Sequence, residues 1–333
     1  MNGRINHKMK QQGLTLVELM IAMVIGLILI AGVLQLFVSN KQTYRVTENI
    51  SRLQENGRFA MHFLRSDIRM ADFWGCGGMS ASIDNNLNAD ATFDFFTTAL
   101  EGLDDDAAAN NIIDGTDAIT IKGAFGGGIS LVNIPANVSA DLKVTNDSGL
   151  NEDDIVLISD CVDGDIFQIT NDPSSGGSVV HDNVVHNTGA VSSGPGNAEK
   201  PFKKVYGTDA KIYRLNFATY SIRNGVNGRP SLFRSINGGT AQELVEDIEN
   251  MQILYGEDTT GDGGPNYYKE ADAVGLNMDN VVAVRISLVA VTVEDNVTDQ
   301  ASNYSLFGTG ITSADNRIRR VFTSTIVIRN RLP

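Results

Sequence analysis

One apolar run governs what the rest of this chain can become. From Leu14 to Val38, 25 residues carry only three clearly polar side chains, Thr15, Glu18 and Gln35, and Leu19 to Leu34 is wholly apolar. As a helix the run would cover roughly 37 Å, enough to cross a bilayer. The leader before it, "MNGRINHKMKQQG", holds Arg4, Lys8 and Lys10 and no acid. That bias keeps residues 1–13 cytoplasmic and sends everything after Val38 across the membrane. A cleaved secretory signal would have a shorter apolar core and an A-x-A site, and "VLQLFVSNKQTYR" offers none. The segment 14–38 is therefore expected to stay on the mature chain as a single membrane span.

An ordinary anchor has no use for Glu18, because an ionised carboxylate inside a bilayer costs a few kcal/mol unless it is paired. Glu18 needs a cation. Here "KQQGLTLVEL" resembles the prepilin processing motif of type IV pilins and of type II secretion pseudopilins. The resemblance implies that a prepilin peptidase cuts between Gly13 and Leu14 on the cytoplasmic side and methylates the new amine of Leu14. It also makes Glu18 the family glutamate, fifth in the mature chain. Leucine stands where the first mature residue is usually phenylalanine. In a filament whose core is built of such helices, Glu18 would pair with the terminal amine of a neighbour, turning two costly buried charges into one satisfied pair. That is an assembly role.

Beyond the membrane, Val46, Ile50, Leu53, Ala60, Leu64, Ile68 and Ala71 recur at spacings of three and four, with Gly57 in the stripe, while charged residues fill the other positions. The spacing predicts one helix from Leu14 to Asp72, of about 59 residues and on the order of 90 Å, whose second half (39–75) is amphipathic. Gly26 and Gly32 predict a curve or a break, each weakening the helix by about 1 kcal/mol relative to alanine. After Gly78 the pattern changes to strands: "DAITIKG", "DIVLISDCVDGDIFQIT" as a hairpin turning at Asp163-Gly164, "AKIYRLNFATYSIR", "SLFRSI", "NVVAVRISLVAVTVED" and "RRVFTSTIVIRNRLP". A short helix or turn is expected at "QELVEDIENMQILYGED", and a long surface excursion over 171–209, rich in Gly, Ser and Asn. The expected fold is α+β and type IV pilin-like: a long N-terminal helix packed on an enlarged antiparallel β-sheet head spanning 76–333.

The segments "LISDCVDGDIFQIT", "VEDIENMQILYGED", "NVVAVRISL" and "VFTSTIVIRNR" resemble the PilW minor pilins of type IV pili and their relative, the minor pseudopilin J of type II secretion. The chain's size favours the pilus branch. The resemblance implies a non-catalytic protein that joins other minor pilins and the major pilin, primes pilus assembly and sits at the filament tip. Adhesion, twitching motility or DNA uptake would then depend on it. A secretion pseudopilin is the alternative, and a membrane-tethered enzyme or calcium-dependent adhesin a further one.

Charge and residue chemistry narrow the remainder. The net charge is −14, and −17 once the leader's three cations are removed. Such a body repels nucleic acid and anionic membrane surfaces alike. The two cysteines, Cys76 and Cys161, fall in the exported part, where an oxidising compartment favours a disulfide between them. Two unpaired buried thiols are the alternative. His181 and His186 lack the helical i, i+4 spacing of a zinc site and have only Asp182 as an obvious third ligand, so they are expected in a solvated loop. Asp258, Thr260, Asp262 and Gly263 fit the opening of a calcium loop, but Lys269 stands where a bidentate glutamate belongs, so an ordinary Gly-Asp turn is expected. No cofactor is expected.

Overall fold

The computed structural model describes residues 15–75, 82–90, 98–105, 111–175, 181–189 and 191–332. Its first element is one unbroken helix, α1, Leu16–Arg69, of 54 residues. The break expected at Gly26 and Gly32 is absent. The backbone stays helical through both, since two isolated glycines weaken the ladder without removing a hydrogen bond, as a proline would.

The chain divides into two units, 1–51 and 52–333. Within the first, every Leu, Ile, Val, Met and Phe from Leu16 to Val38 is 50 to 75 % exposed. A 23-residue surface of that kind suits lipid or other apolar helices rather than water.

The second unit is built from α1's amphipathic half and two main sheets. The first sheet contains β1 (Ile83–Asn85), β2 (Leu100–Leu103), β3 (Ala118–Ser130), β5 (Ile155–Ser159), β6 (Gly164–Gln168), β8 (Lys211–Asn224), β9 (Pro230–Ile236) and β10 (Gln242–Glu246). Its 14-residue β8 is central. One edge of β8 pairs with β3, and the other pairs first with β5 and then with β9. The second sheet runs β12 (Tyr267–Lys269), β11 (Ile248–Glu257), β13 (Val281–Val291), β16 (Arg319–Val327), all antiparallel. Two small ribbons complete it, β4 (Leu142–Thr145) with β7 (His181–Val184) and β14 (Asn303–Leu306) with β15 (Thr309–Thr312). The pairing of β1 with β6 is parallel; the other strand pairs are antiparallel.

One apolar core joins the helix to both sheets. Leu53, Ala60, Leu64, Ile68 and Ala71 of the predicted stripe pack with Ile119, Ile121, Tyr220 and Ile222 of the first sheet and with Met251, Ile253, Ile286 and Leu288 of the second. Polar contacts fix the helix on these layers: Tyr220 Oη donates to Asp67 Oδ2 at 2.6 Å, and Arg65 Nη2 donates to Ser324 Oγ at 2.7 Å. Gly57 has a specific task. A methyl group there would sit 2.2 Å from the ring of Phe322 on β16, so the missing side chain is the socket for that ring. Gly57→Ala should lower stability by about 1–3 kcal/mol through overpacking, net of roughly 1 kcal/mol gained in helix propensity. Urea unfolding measures it, and an unchanged midpoint would show that Phe322 can swing clear.

Two sequence expectations are corrected. Over 242–258 the chain forms two strands, β10 and β11, rather than a helix or turn. The apolar spacing there, Val245, Ile248, Met251, is helix-like, yet register shifts fall between Glu243 and Val245 and between Ile248 and Asn250. A bulge puts residues three apart on one face of a strand. The described part of 171–209 is not simply a surface excursion either. Val184, Phe202 and Tyr206 close a second core with Leu142, Val144, Val156 and Phe167. The hairpin of β5 and β6 forms as expected, although Gly164 opens β6 and the connection is Asp160 to Asp163.

Candidate functional site

The start of α1 carries a feature that its sequence announces as T-x-x-E. Thr15 Oγ1 accepts from the Glu18 backbone N–H at 3.3 Å, and Glu18 Oε2 accepts from the Thr15 N–H and hydroxyl, each at 3.0 Å. This reciprocal capping box satisfies donors that the first helical turn leaves without partners. The sequence reading assigned Glu18 to a neighbour's amine and missed the local role. Both uses are open to one carboxylate, because Oε2 alone makes the cap. Gly13 and Leu14, the expected cleavage and methylation positions, lie outside the described residues.

Cys161 sits in the connection between β5 and β6, at φ 72, and its N–H donates to Ser159 Oγ at 3.2 Å. Among the described residues no cysteine is free. Its expected partner Cys76 lies outside them. The same hairpin is ringed by charge: Lys204 Nζ lies 2.6 Å from Asp160 and 2.7 Å from Asp163. Those bonds hold Lys204 above, and Asp163 below, their ordinary pKa values.

The segment proposed for calcium from sequence folds as a self-contained turn. Asp258 Oδ1 accepts from Thr260 N, Thr260 Oγ1 and Gly261 N, and Oδ2 accepts from Gly263 N at 2.7 Å. Four donors on one carboxylate use the lone-pair positions an ion would need. Asp262 Oδ1 accepts from Gly264 N at 3.0 Å. The Thr260 hydroxyl is thus spent on Asp258 and the Asp262 carboxylate on the loop's own backbone.

The histidines separate. His186 is buried, stacked at 4.1 Å on Phe202, with burial and then the Lys200 charge pushing its pKa down to about 4. This corrects the solvated-loop expectation: an imidazole kept neutral can serve as one more ring in the second core. His181, on β7, is half-buried.

A group that the sequence did not single out links the two sheets. Asp117 precedes β3; its N–H donates to Met251 O at 2.9 Å, and its Oδ2 accepts from Ile253 N at 2.6 Å. Burial, with Asp104 and Asp105 nearby, pushes its pKa up to about 8. No local motif marks a lone Asp at a strand start as a staple between sheets.

The chain matches two family models: type IV pilus-assembly protein W, PilW, over residues 219–330, and the prokaryotic N-terminal methylation motif over residues 8–34. The first match takes in the end of β8 and every strand from β9 to β16. The second takes in Gly13, Leu14 and Glu18. No curated protein and no solved structure gives a match.

Proposed function

We propose that this PilW-like type IV pilus pilin is a minor subunit that primes pilus assembly and works from a tip complex with other minor pilins. The observation that carries the reading is the joining, in one chain, of a methylation motif running into an exposed apolar helix and a PilW segment forming the sheet on which α1's second half packs. The helix supplies entry into a helical filament core. The sheets supply edges and faces for neighbouring subunits, since an edge strand offers unpaired N–H and C=O groups to a partner strand. The work is done by contact, with the prepilin peptidase as the processing partner, the inner membrane as the site of storage and the periplasm as the compartment of the head. In that compartment Cys76 and Cys161 form the disulfide, and the purified chain should take up thiol-alkylating reagent only after reduction.

Deleting the gene tests the priming role directly. Surface pili should fall at least tenfold and return with a plasmid copy, and an epitope-tagged chain should label filament ends. Label spread evenly along the shaft, or unchanged piliation with lost protein secretion, would overturn the tip reading in favour of a bulk subunit or a secretion pseudopilin.

A further inference from the structure

The edges of the two main sheets approach each other where acidic residues collect. β2 closes one edge of the first sheet and is followed by Asp104; β12 closes one edge of the second and is followed by Glu270 and Asp272. One carboxylate oxygen from each of Asp104, Glu270 and Asp272 lies within 4.8 Å of the others. Two oxygens bound about 2.4 Å from a single calcium ion can stand at most about that far apart, whereas magnesium, at about 2.1 Å, would require a tighter set.

No ion pair reaches any of the three among the described residues. Lys269, beside them in sequence, turns its Nζ to the Val274 carbonyl at 3.4 Å and lies 4.4 Å over the Tyr267 ring. The negative charges therefore face one another. The Asp117 side chain is hydrogen-bonded to Asp104.

A second observation, independent of the acids, points to a ligand. Tyr255 of β11 is 1 % exposed, and its hydroxyl has no hydrogen-bond partner. The hydroxyl lies between the two acid-bearing segments: a methyl group built on Gly102 would stand 2.4 Å from it and 2.7 Å from the Cβ of Ala271. Of the neighbouring carboxyl groups, those of Asp117 and Asp104 act on it electrostatically. A buried phenol lying between the two acid-bearing segments has its missing partner supplied if an ion carries water there.

We propose that Asp104, Glu270 and Asp272 bind a calcium ion that clamps the edge of the first sheet to the edge of the second, with the Tyr255 hydroxyl holding an ion-bound water from below. The donors are all hard oxygens, with neither imidazole nor thiolate among them, which selects calcium over zinc or copper. They come from separate segments in irregular geometry, which calcium tolerates and magnesium does not. The site lies in the head and stands or falls independently of the pilus role.

The test uses the full chain in detergent, unfolded thermally in EGTA, in calcium chloride and in magnesium chloride. With a dissociation constant of about 0.1–1 mM, ordinary for extracellular modules, 10 mM calcium should raise the Tm by about 3–8 °C. Magnesium should give less than half of that. Asp104→Asn combined with Asp272→Asn should abolish the shift and, in EGTA, melt no lower than wild type, because removing like charges relieves repulsion. Glu270→Gln, at an exposed position that cannot unfold the chain, should weaken the calcium response at least tenfold. No calcium shift in the wild type, or a full shift retained in the double variant and in Glu270→Gln, overturns the proposal. So does a shift lost on Asp258→Asn alone, which would place the ion in the other loop.

Discussion

In cells carrying Gly13→Val, the chain recovered from membranes should keep residues 1–13, with at least a tenfold loss of the form that begins at Leu14. Intact-mass measurement reads the difference. The peptidase must accept extended backbone at the membrane surface, and a β-branched side chain at the glycine would block the close approach that glycine permits. An uncut leader would carry Arg4, Lys8 and Lys10 into any filament core built from segments 14–38, where unpaired cations are costly. Pili purified from these cells should therefore lack the chain. Normal mature mass from the Gly13→Val strain would sink the processing assignment.

Glu18 makes the same experiment sharper, because its two roles separate chemically. Glutamine at this position still accepts the Thr15 N–H and hydroxyl, so Glu18→Gln should keep the helix cap. It cannot neutralise a terminal amine. If charge pairing governs assembly, Glu18→Gln and Glu18→Ala should both be processed and both be excluded from pili by about tenfold or more. Normal incorporation of Glu18→Gln beside exclusion of Glu18→Ala would make the cap the whole function.

How far the fold could be read from the sequence depended on whether its signals were local. The continuous helix was legible because its apolar run and its later stripe, Leu53 to Ala71, both follow the helical period, and the cap at Thr15 and Glu18 was written in plain form though overlooked. Strands rich in β-branched and aromatic residues, such as β8 and β13, were legible because that composition is also a local signal. β10 and β11 were not, since bulges give a strand the three-residue spacing of a helix. The roles of Gly57, Asp117 and Tyr255 were invisible for a different reason. Each is defined by a residue distant in sequence, Phe322, Ile253 and Gly102 respectively, and a glycine, a lone acid or a tyrosine carries no mark of what will be packed against it. The same holds for the acidic cluster, whose members follow two edge strands more than 160 positions apart.

The largest stability effect outside the apolar core is expected at the other end of α1's packed half, where a single guanidinium gathers three segments. Arg331 Nε donates to Asp72 Oδ2 at 2.8 Å, and its Nη1 donates to the carbonyls of Met278 at 2.5 Å and Val281 at 2.9 Å. Both partners of the ion pair are nearly enclosed, with side chains 8 % and 14 % exposed. Neighbouring contacts pull the same way: Trp74 Nε1 donates to Asp72 Oδ1 at 2.6 Å, and Asn330 Nδ2 donates to Ala71 O at 3.0 Å. Removing the cation leaves a buried carboxylate and two carbonyls without their donors, and such one-sided losses cost more than the pair contributes as a whole. Arg331→Met should destabilise the chain by about 3–5 kcal/mol and lower its Tm by roughly 10 °C. Asp72→Asn should cost less, because asparagine still accepts from Trp74 and removes the charge that needed balancing. In the double variant the two losses should fall short of additive by at least about 1 kcal/mol, the coupling expected of groups in direct contact. Strict additivity would mean that the end of the helix and the segment after β16 are held by packing alone, with the ion pair contributing nothing to the connection.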